Sequence, residues 1–327
     1  MKIFRSAFTL VLLTQLSSCQ EVTEKEYELR AEIVDDSGKP VPSAMVHGAS
    51  QKLIKDSPVP MSQNIRVEAP SDEAGIAILK FKSIPTPGGV AIHKQNHYSS
   101  FYSVDWKSTE KFEGKLQNAE IKAVLKPVMN PIPMHAHELG NTRVVVPDFG
   151  VEYGYDLQMC QFTSPHGSGR QADIVFKATG TNDGLGKGSI LLTIKGRSNQ
   201  DGFVEFLTVD RERGSIFLSD YKAPENGYVN CVTFAFDSDN MTAAMNQSKN
   251  GNYYFRSRVN QDADGKIKSC HFGKIYGPFT LWGIPTSRGG VASFGFAACY
   301  FNPTSNDRNV EFDPKCNLNL DGNVRQP

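Results

Sequence analysis

The feature that most constrains this chain is a succession of short segments in which apolar and polar residues alternate, each closed by Gly, Pro or Asp. Tyr27, Leu29, Ala31 and Ile33 alternate with Glu28, Arg30 and Glu32. That period of two puts one face of a β-strand against a core and the other in water. Asp35-Asp36-Ser37-Gly38-Lys39-Pro40 reads as a turn, and residues 41–46 open a second strand. Asp72-Glu73-Ala74-Gly75 turns into the apolar run 76–81, and residues 121–127 close the region. Short strands bounded by turn residues predict an all-β chain built as a β-sandwich.

Residues 128–139 begin Val128-Met129-Asn130-Pro131-Ile132-Pro133, whose prolines favour extended backbone and interrupt strand pairing, so this stretch is expected to be a linker. Beyond it the pattern stays strand-rich, with candidates at 143–146, 172–178, 189–195, 203–209, 228–237, 253–260, 266–276, 292–300 and 310–312. One helix is expected, over 239–248, with Asp239 or Asn240 as its cap. Asp264-Gly265 between two strand runs is the best hairpin signal in the chain. The expectation is a small sandwich over 27–127, then a larger one over 140–327 with a jelly roll as its candidate topology.

The first region resembles the carboxypeptidase regulatory-like domain, a small transthyretin-like sandwich. The residues that carry the resemblance are Asp35-x-x-Gly38-Lys39-Pro40-Val41-Pro42-x-Ala44-x-Val46, then Asp72-Glu73-x-Gly75 before an apolar strand, then Leu125-Lys126-Pro127 at the close. The departure is a long insertion between Val46 and Asp72 holding Pro58, Pro60 and Pro70, expected to form a loop. The resemblance implies an accessory module on an exported protein, because the zinc carboxypeptidase domain that accompanies it in the named family is lacking. Phrases in the second region, at 253–258, 273–277 and 302–314, resemble uncharacterised exported proteins of the Planctomycetes and Verrucomicrobia type.

The N-terminus carries two cations, Lys2 and Arg5, then an apolar stretch from Ala7 to Leu16 and small residues before Cys19. These are the parts of a secretory signal peptide, and the stretch is too short to span a bilayer as a helix. Leu16-Ser17-Ser18-Cys19 resembles a bacterial lipobox. That resemblance implies cleavage before Cys19, acylation of its thiol, residues 1–18 as a signal peptide and residues 19–26 as a polar tether. Gln20 after the cysteine, where an Asp would direct inner-membrane retention, implies an outer-membrane address. Two acyl chains make a stable anchor.

The chain from Cys19 onward has 309 residues, more than one typical domain. Removing Lys2 and Arg5 from 35 basic residues leaves 33 against 35 acidic, a net charge of −2. Such balance offers no electrostatic case for nucleic acid as a partner. Cys160, Cys231, Cys270, Cys299 and Cys316 remain, all in the second region. An exported protein permits disulfides, but an odd number leaves at least one thiol unpaired within the chain.

Candidate sites are local. His135 and His137, two apart, would project to one strand face as two ligands of a Zn²⁺ or Cu²⁺ site; the plainer reading is exposed loop histidines. Asn260-x-Asp262-x-Asp264-Gly265 places oxygens as a calcium loop does, but His271 stands where the acidic twelfth residue belongs, so Asp262 and Asp264 read as a hairpin turn. The glycine-rich 182–189 lacks phosphate-loop spacing, and Ser164 beside His166 lacks a nucleophile elbow. Trp106, near Tyr98, Phe101 and Tyr102, and Trp282, near Tyr276 and Phe279, are candidates for stacking on sugar rings; core packing is the plainer reading. The expectation is therefore a non-catalytic, cofactor-free protein held to a membrane by its lipid, with polysaccharide or protein as its partner at the cell envelope. The alternative is an extracytoplasmic hydrolase acting on glycans or esters through the second region.

Overall fold

A computed structural model describes residues 24–54, 61–84, 87–105, 110–112, 116–138, 143–181, 187–208, 214–240, 251–286 and 289–319, with 324 and 327. Cys19 and the rest of the leader lie outside the described residues, as does Trp106. Among the described residues no helix is long and apolar enough to cross a membrane.

The first half folds into β1 (Lys25–Val34), β2 (Met45–Leu53), β3 (Ser62–Pro70), β4 (Ile76–Ser83), β5 (Pro87–His93), β6 (Ser100–Asp105), β7 (Glu110–Phe112) and β8 (Leu116–Val124). The second half supplies β9 (His135–Glu138), β10 (Val144–Val146), β11 (Glu152–Asp156), β12 (Gln161–Phe162), β13 (Ile174–Gly180), β14 (Ser189–Gly196), β15 (Gly202–Leu207), β16 (Gly214–Ser215) and β17 (Cys231–Asp237). After them come β18 (Gly251–Gln261), β19 (Ile267–Tyr276), β20 (Thr280–Thr286), β21 (Gly289–Gly295) and β22 (Ala298–Phe301). The expected helix is represented by one 3₁₀ turn, Ser238–Asn240; its remainder, 241–248, lies outside the described residues.

The first sandwich faces a four-stranded sheet, β4-β1-β8-β7, with a five-stranded one, β16-β6-β5-β2-β3. Alternation along β1 puts Tyr27, Leu29, Ala31 and Ile33 wholly in the core between them. The alternate face carries the cross-strand pairs Glu28–Lys80 and Glu32–Lys122 at 3.0 and 3.4 Å, exposed and therefore contributing little stability. Both expected turns are built by an aspartate. Asp35 Oδ1 accepts from Ser37 N and Lys39 N, and Asp72 Oδ1 from Ala74 N and Ile76 N. Gly75 sits at φ +75°, and a Cβ there would come within 2.4 Å of Ile33 O, so this turn requires glycine.

Two expectations change. The insertion after Val46, expected as a loop, forms the arms of the β2–β3 hairpin, in register from Met45↔Pro70 to Leu53↔Ser62. Its polar residues fall on the exposed side of a strand pair, which the alternating burial of β3 displays. The stretch 128–139, expected as a linker, contributes β9, which pairs with β22.

The second sandwich has three sheets: β12-β11-β13-β14-β17, the three-stranded β10-β21-β20, and β15-β18-β19-β22-β9. Its main core draws on all three, with Phe176, Phe203, Phe255, Phe294 and Phe301 at the centre. The last of these sheets is also covered on its other side, by two smaller clusters around Tyr300 and Phe312 and around Tyr254 and Phe272. Burial on both faces accounts for the continuous burial of β22 and of the end of β19. The two sandwiches meet through buried polar contacts. Glu311 accepts from the Tyr98 hydroxyl and from Met129 N at 2.8 Å each, and from Asn130 N at 2.7 Å.

Candidate functional site

A cleft of about 570 Å³ lies on the outer face of the first sandwich, across β3, β2, β5 and β6. It follows from side-chain alternation. Outward positions of neighbouring strands form rows across a sheet, and here the middle positions are small: Ala49 on β2, and Gly89 and Ala91 on β5. Larger residues stand around that low floor: Asn64 and Arg66 on β3, His47 on β2, His93 on β5, and Phe101 and Ser103 on β6. Phe101 is 46% exposed, large for an aromatic ring on a sheet.

The polar rim is linked. Arg66 Nε lies 3.1 Å from His47 Nδ1, and Glu68 Oε2 lies 3.0 Å from the same nitrogen. One nitrogen serves one partner at a time: bare, it accepts from Arg66, and protonated, it donates to Glu68. The His47 and His93 rings stand 5.4 Å apart, and Phe101 meets His93 edge-on at 6.0 Å. Burial, then the neighbouring His47 and Arg66, push the His93 imidazole below its ordinary range and favour its neutral form. His93 Nδ1 is bonded to Ser99 Oγ at 2.7 Å, which fixes the ring. Among the described residues that line this cleft none is a carboxylate, and Glu68 reaches it only through His47. It combines an aromatic surface, two imidazoles, a guanidinium and neutral hydrogen-bonding groups on a rigid sheet.

A second cleft of about 310 Å³ lies in the second sandwich, lined by His135, Asp156, Gln158, Arg170, Arg258 and Asn319 among others. Asp156 and Arg258 are committed to structure. Asp156 takes hydrogen bonds from four backbone amides, those of Gln158, Met159, Arg170 and Gln171, and so folds the loop that follows β11. Buried Asp173 holds the Arg258 guanidinium, Oδ1 to Nε at 2.7 Å and Oδ2 to Nη2 at 3.2 Å. That guanidinium also stacks 4.5 Å over Phe301. Arg258 has φ of 55°, a left-handed conformation that coincides with the bulge where β18 slips against β19.

His135 and His137 do share one face, that of β9, half-buried on a strand instead of exposed in a loop. Asn319 Oδ1 lies 2.9 Å from His135 Nδ1 and Gln158 Nε2 lies 3.0 Å from His135 Nε2. His137 Nε2 donates to Gln158 O at 3.0 Å. Among the described residues no group of three or more His, Cys, Asp or Glu is placed to hold a metal ion. Asp262 and Asp264 sit in the β18–β19 turn, where Asp262 Oδ1 accepts from Asp264 N and Lys266 N and Gly265 takes φ +80°. Trp282, on β20, is half-buried with its ring 5.9 Å from Phe236 at the edge of the second core. Tyr98 turns inward toward Glu311, and the Tyr102 hydroxyl accepts from Val124 N, while Phe101 and Tyr102 are both among the residues lining the outer cleft. Sequence reasoning passed over His47, Asn64 and Arg66, because it took residues 46–72 for a loop. The signal that marks them is the period of two along 62–70, with Asn64, Arg66 and Glu68 on one side.

No family model and no curated protein matches the chain. Among solved structures, 3-chlorocatechol 1,2-dioxygenase from Rhodococcus opacus 1CP is similar over 33% of this chain and 62% of its own length, at 14% identity and a TM-score of 0.26. This chain therefore spans less than two thirds of that enzyme. A protein of unknown function described as membrane-associated, from Bacteroides fragilis NCTC 9343, is similar over 86% of this chain and 99% of its own, at 12% identity and a TM-score of 0.17. Likenesses this distant carry no function across.

Proposed function

We propose that this chain is a lipid-anchored, non-catalytic protein of the cell envelope that binds polysaccharide on the outer face of its first sandwich. The observation that carries the reading is the 570 Å³ cleft with Phe101, Arg66 and His47 standing over a floor of Ala49, Gly89 and Ala91. An exposed ring beside neutral donors suits the apolar face and hydroxyl edge of a sugar. Arg66, with no carboxylate among the described lining residues, favours sugars that carry one, such as uronates. Glycoside hydrolysis needs two facing carboxylates, and the described residues of this lining supply none. In the second cleft Asp156 is spent on backbone amides, which leaves the hydrolase alternative without a free carboxylate among the described residues that line it.

Calorimetric titration with uronate and neutral oligosaccharides tests the site. Saturable binding with preference for uronates is expected, weakened roughly 10–100-fold by Arg66→Ala, the worth of a charged hydrogen bond. Phe101→Ala is expected to weaken both sugar classes. Absence of saturable binding, or affinity indifferent to both substitutions, rules the site out. A protein ligand captured at the same face, lost on Arg66→Ala, would replace polysaccharide as the partner.

The anchor rests on the lipobox-like Leu16-Ser17-Ser18-Cys19. It is tested separately by fractionating cells that express Cys19→Ala. The variant is expected to leave the membrane fraction and to lose metabolic labelling by palmitate. Unchanged membrane retention would rule out lipid attachment at Cys19.

A further inference from the structure

Five thiols occur in the described residues, and two of them converge. Cys160 Sγ points back to Leu157 O at 3.6 Å, and Cys299 Sγ reaches the same oxygen at 3.7 Å. Both thiols therefore meet at one carbonyl oxygen, which brings the end of the β11 turn and β22 together. Cys160 is the last residue of the turn after β11 and has φ of 49°, a left-handed conformation that an L side chain seldom adopts. Cys299 lies in the middle of β22, paired with His137 of β9 on one side and Ile275 of β19 on the other. The remaining thiols are placed differently: Cys270 faces Asn306, Cys316 contacts Asp313, and Cys231 is exposed on β17.

We propose that Cys160 and Cys299 form a disulfide as the chain folds under oxidising conditions, and that this bond braces the second cleft. One wall of that cleft is the loop carrying Gln158 and Arg170, which begins at the Asp156 turn. The opposite wall includes His135 on β9, the strand hydrogen-bonded to β22. A bond from Cys160 to Cys299 ties the first wall to the strand that holds the second. The step balances with a small-molecule disulfide as oxidant. One thiolate attacks the disulfide of oxidised glutathione and releases one glutathione thiol. The second cysteine then displaces the other glutathione, so two S–H bonds and one S–S bond become one S–S bond and two S–H bonds. Timing follows from burial. Cys299 is wholly enclosed and its thiol is pushed up by burial and by Cys160 beside it, so the thiolate is suppressed once packing is complete. The bond therefore closes before the core does, and once closed it resists reduction.

The test uses the full chain, refolded from guanidinium in a glutathione buffer, quenched with N-ethylmaleimide and digested without reduction. The expected result is one cross-linked peptide pair joining Cys160 to Cys299, and a protein mass two hydrogens lower than that of the reduced chain. Thermal unfolding of the oxidised chain is expected on the order of 5–10 °C above that of the chain kept in a phosphine reductant, because the closed loop is long. Cys160→Ala, at the less buried of the two positions, should abolish both the cross-link and the redox-dependent shift. Maleimide on both Cys160 and Cys299 after oxidative refolding overturns the proposal, as does a redox-dependent shift that survives Cys160→Ala. Should that variant fail to fold, the peptide map of the unaltered chain decides alone.

Discussion

Asp173→Ala is expected to cost roughly 3–5 kcal/mol, the range found when one partner of a buried ion pair is removed. The Asp173 side chain is wholly enclosed, and the Arg258 side chain keeps 17% of its surface exposed. The carboxylate takes the guanidinium through two nitrogens and also accepts from Leu157 N at 2.8 Å. Deleting it leaves a guanidinium facing Asp156 at 3.5 Å and an amide with no acceptor in a closed turn. The remaining Asp156 contact and the Gln158 Oε1 bond at 2.8 Å hold the loss toward the lower end. Asp173→Asn, which keeps an acceptor and the volume, should cost less than the alanine change. The pair also fixes the bulge at which Arg258 takes its left-handed backbone, so the loss should extend to the second cleft. Urea unfolding of the two variants beside the unaltered chain measures it. A loss under about 1 kcal/mol for the alanine change means the guanidinium has relaxed into solvent, and the network then does not pin the bulge.

The all-β architecture was legible in the sequence because period-two alternation and turn chemistry act locally. Tyr27 to Ile33 announce a half-buried strand, and the Asp35, Asp72 and Asp262 turns each close through one carboxylate oxygen. What local pattern does not carry is pairing. Residues 62–70 alternate, but nothing within them says which strand they join, and the proline-bearing span before them read as a loop. Missing that pairing hid the outer cleft, because Arg66 and Asn64 become neighbours of His47 through the β2–β3 register alone. His135 and His137 share a face of β9, where the sequence favoured an exposed loop. Their amide neighbours Gln158 and Asn319 come from 23 and 184 residues away in sequence, beyond any local signal. The Arg258 network has the same character, assembled from the residue before β13, the end of β11 with the turn after it, and a bulge in β18.

Lys274→Met is expected to raise stability near neutral pH by about 1–4 kcal/mol, as replacing a buried charged group with an apolar one of similar volume does elsewhere. Lys274 lies on β19 with no exposed surface, its ammonium against the rings of Phe217, Tyr276 and Tyr300 at 4.7, 4.9 and 4.8 Å. Ser219 Oγ is its hydrogen-bond partner at 3.2 Å. Lys126, from the first sandwich, brings a second ammonium to the same ring, 5.3 Å over Phe217. Glu311, the nearby carboxylate, already serves the Tyr98 hydroxyl and two backbone amides. Burial, then repulsion from Lys126, hold the Lys274 amine well below its ordinary value of 10.5, and the pull of Glu311 does not restore it. The sign follows from linkage. Between the depressed folded value and 10.5 the unfolded chain binds the proton that the folded chain has given up, so stability rises with pH across that window and is lost as pH falls through the folded value. Lys274→Met should flatten this rise, and its advantage should vanish above pH 10.5. Buried tyrosines act in the opposite direction at the alkaline end. Burial lifts the phenols of Tyr98 and Tyr254 above 10.0, so ionisation favours the unfolded chain there in both proteins. Denaturant unfolding from pH 6 to 11 separates these contributions. A methionine variant less stable than the unaltered chain near neutral pH would show that the attraction of three aromatic rings outweighs the cost of enclosing the ammonium.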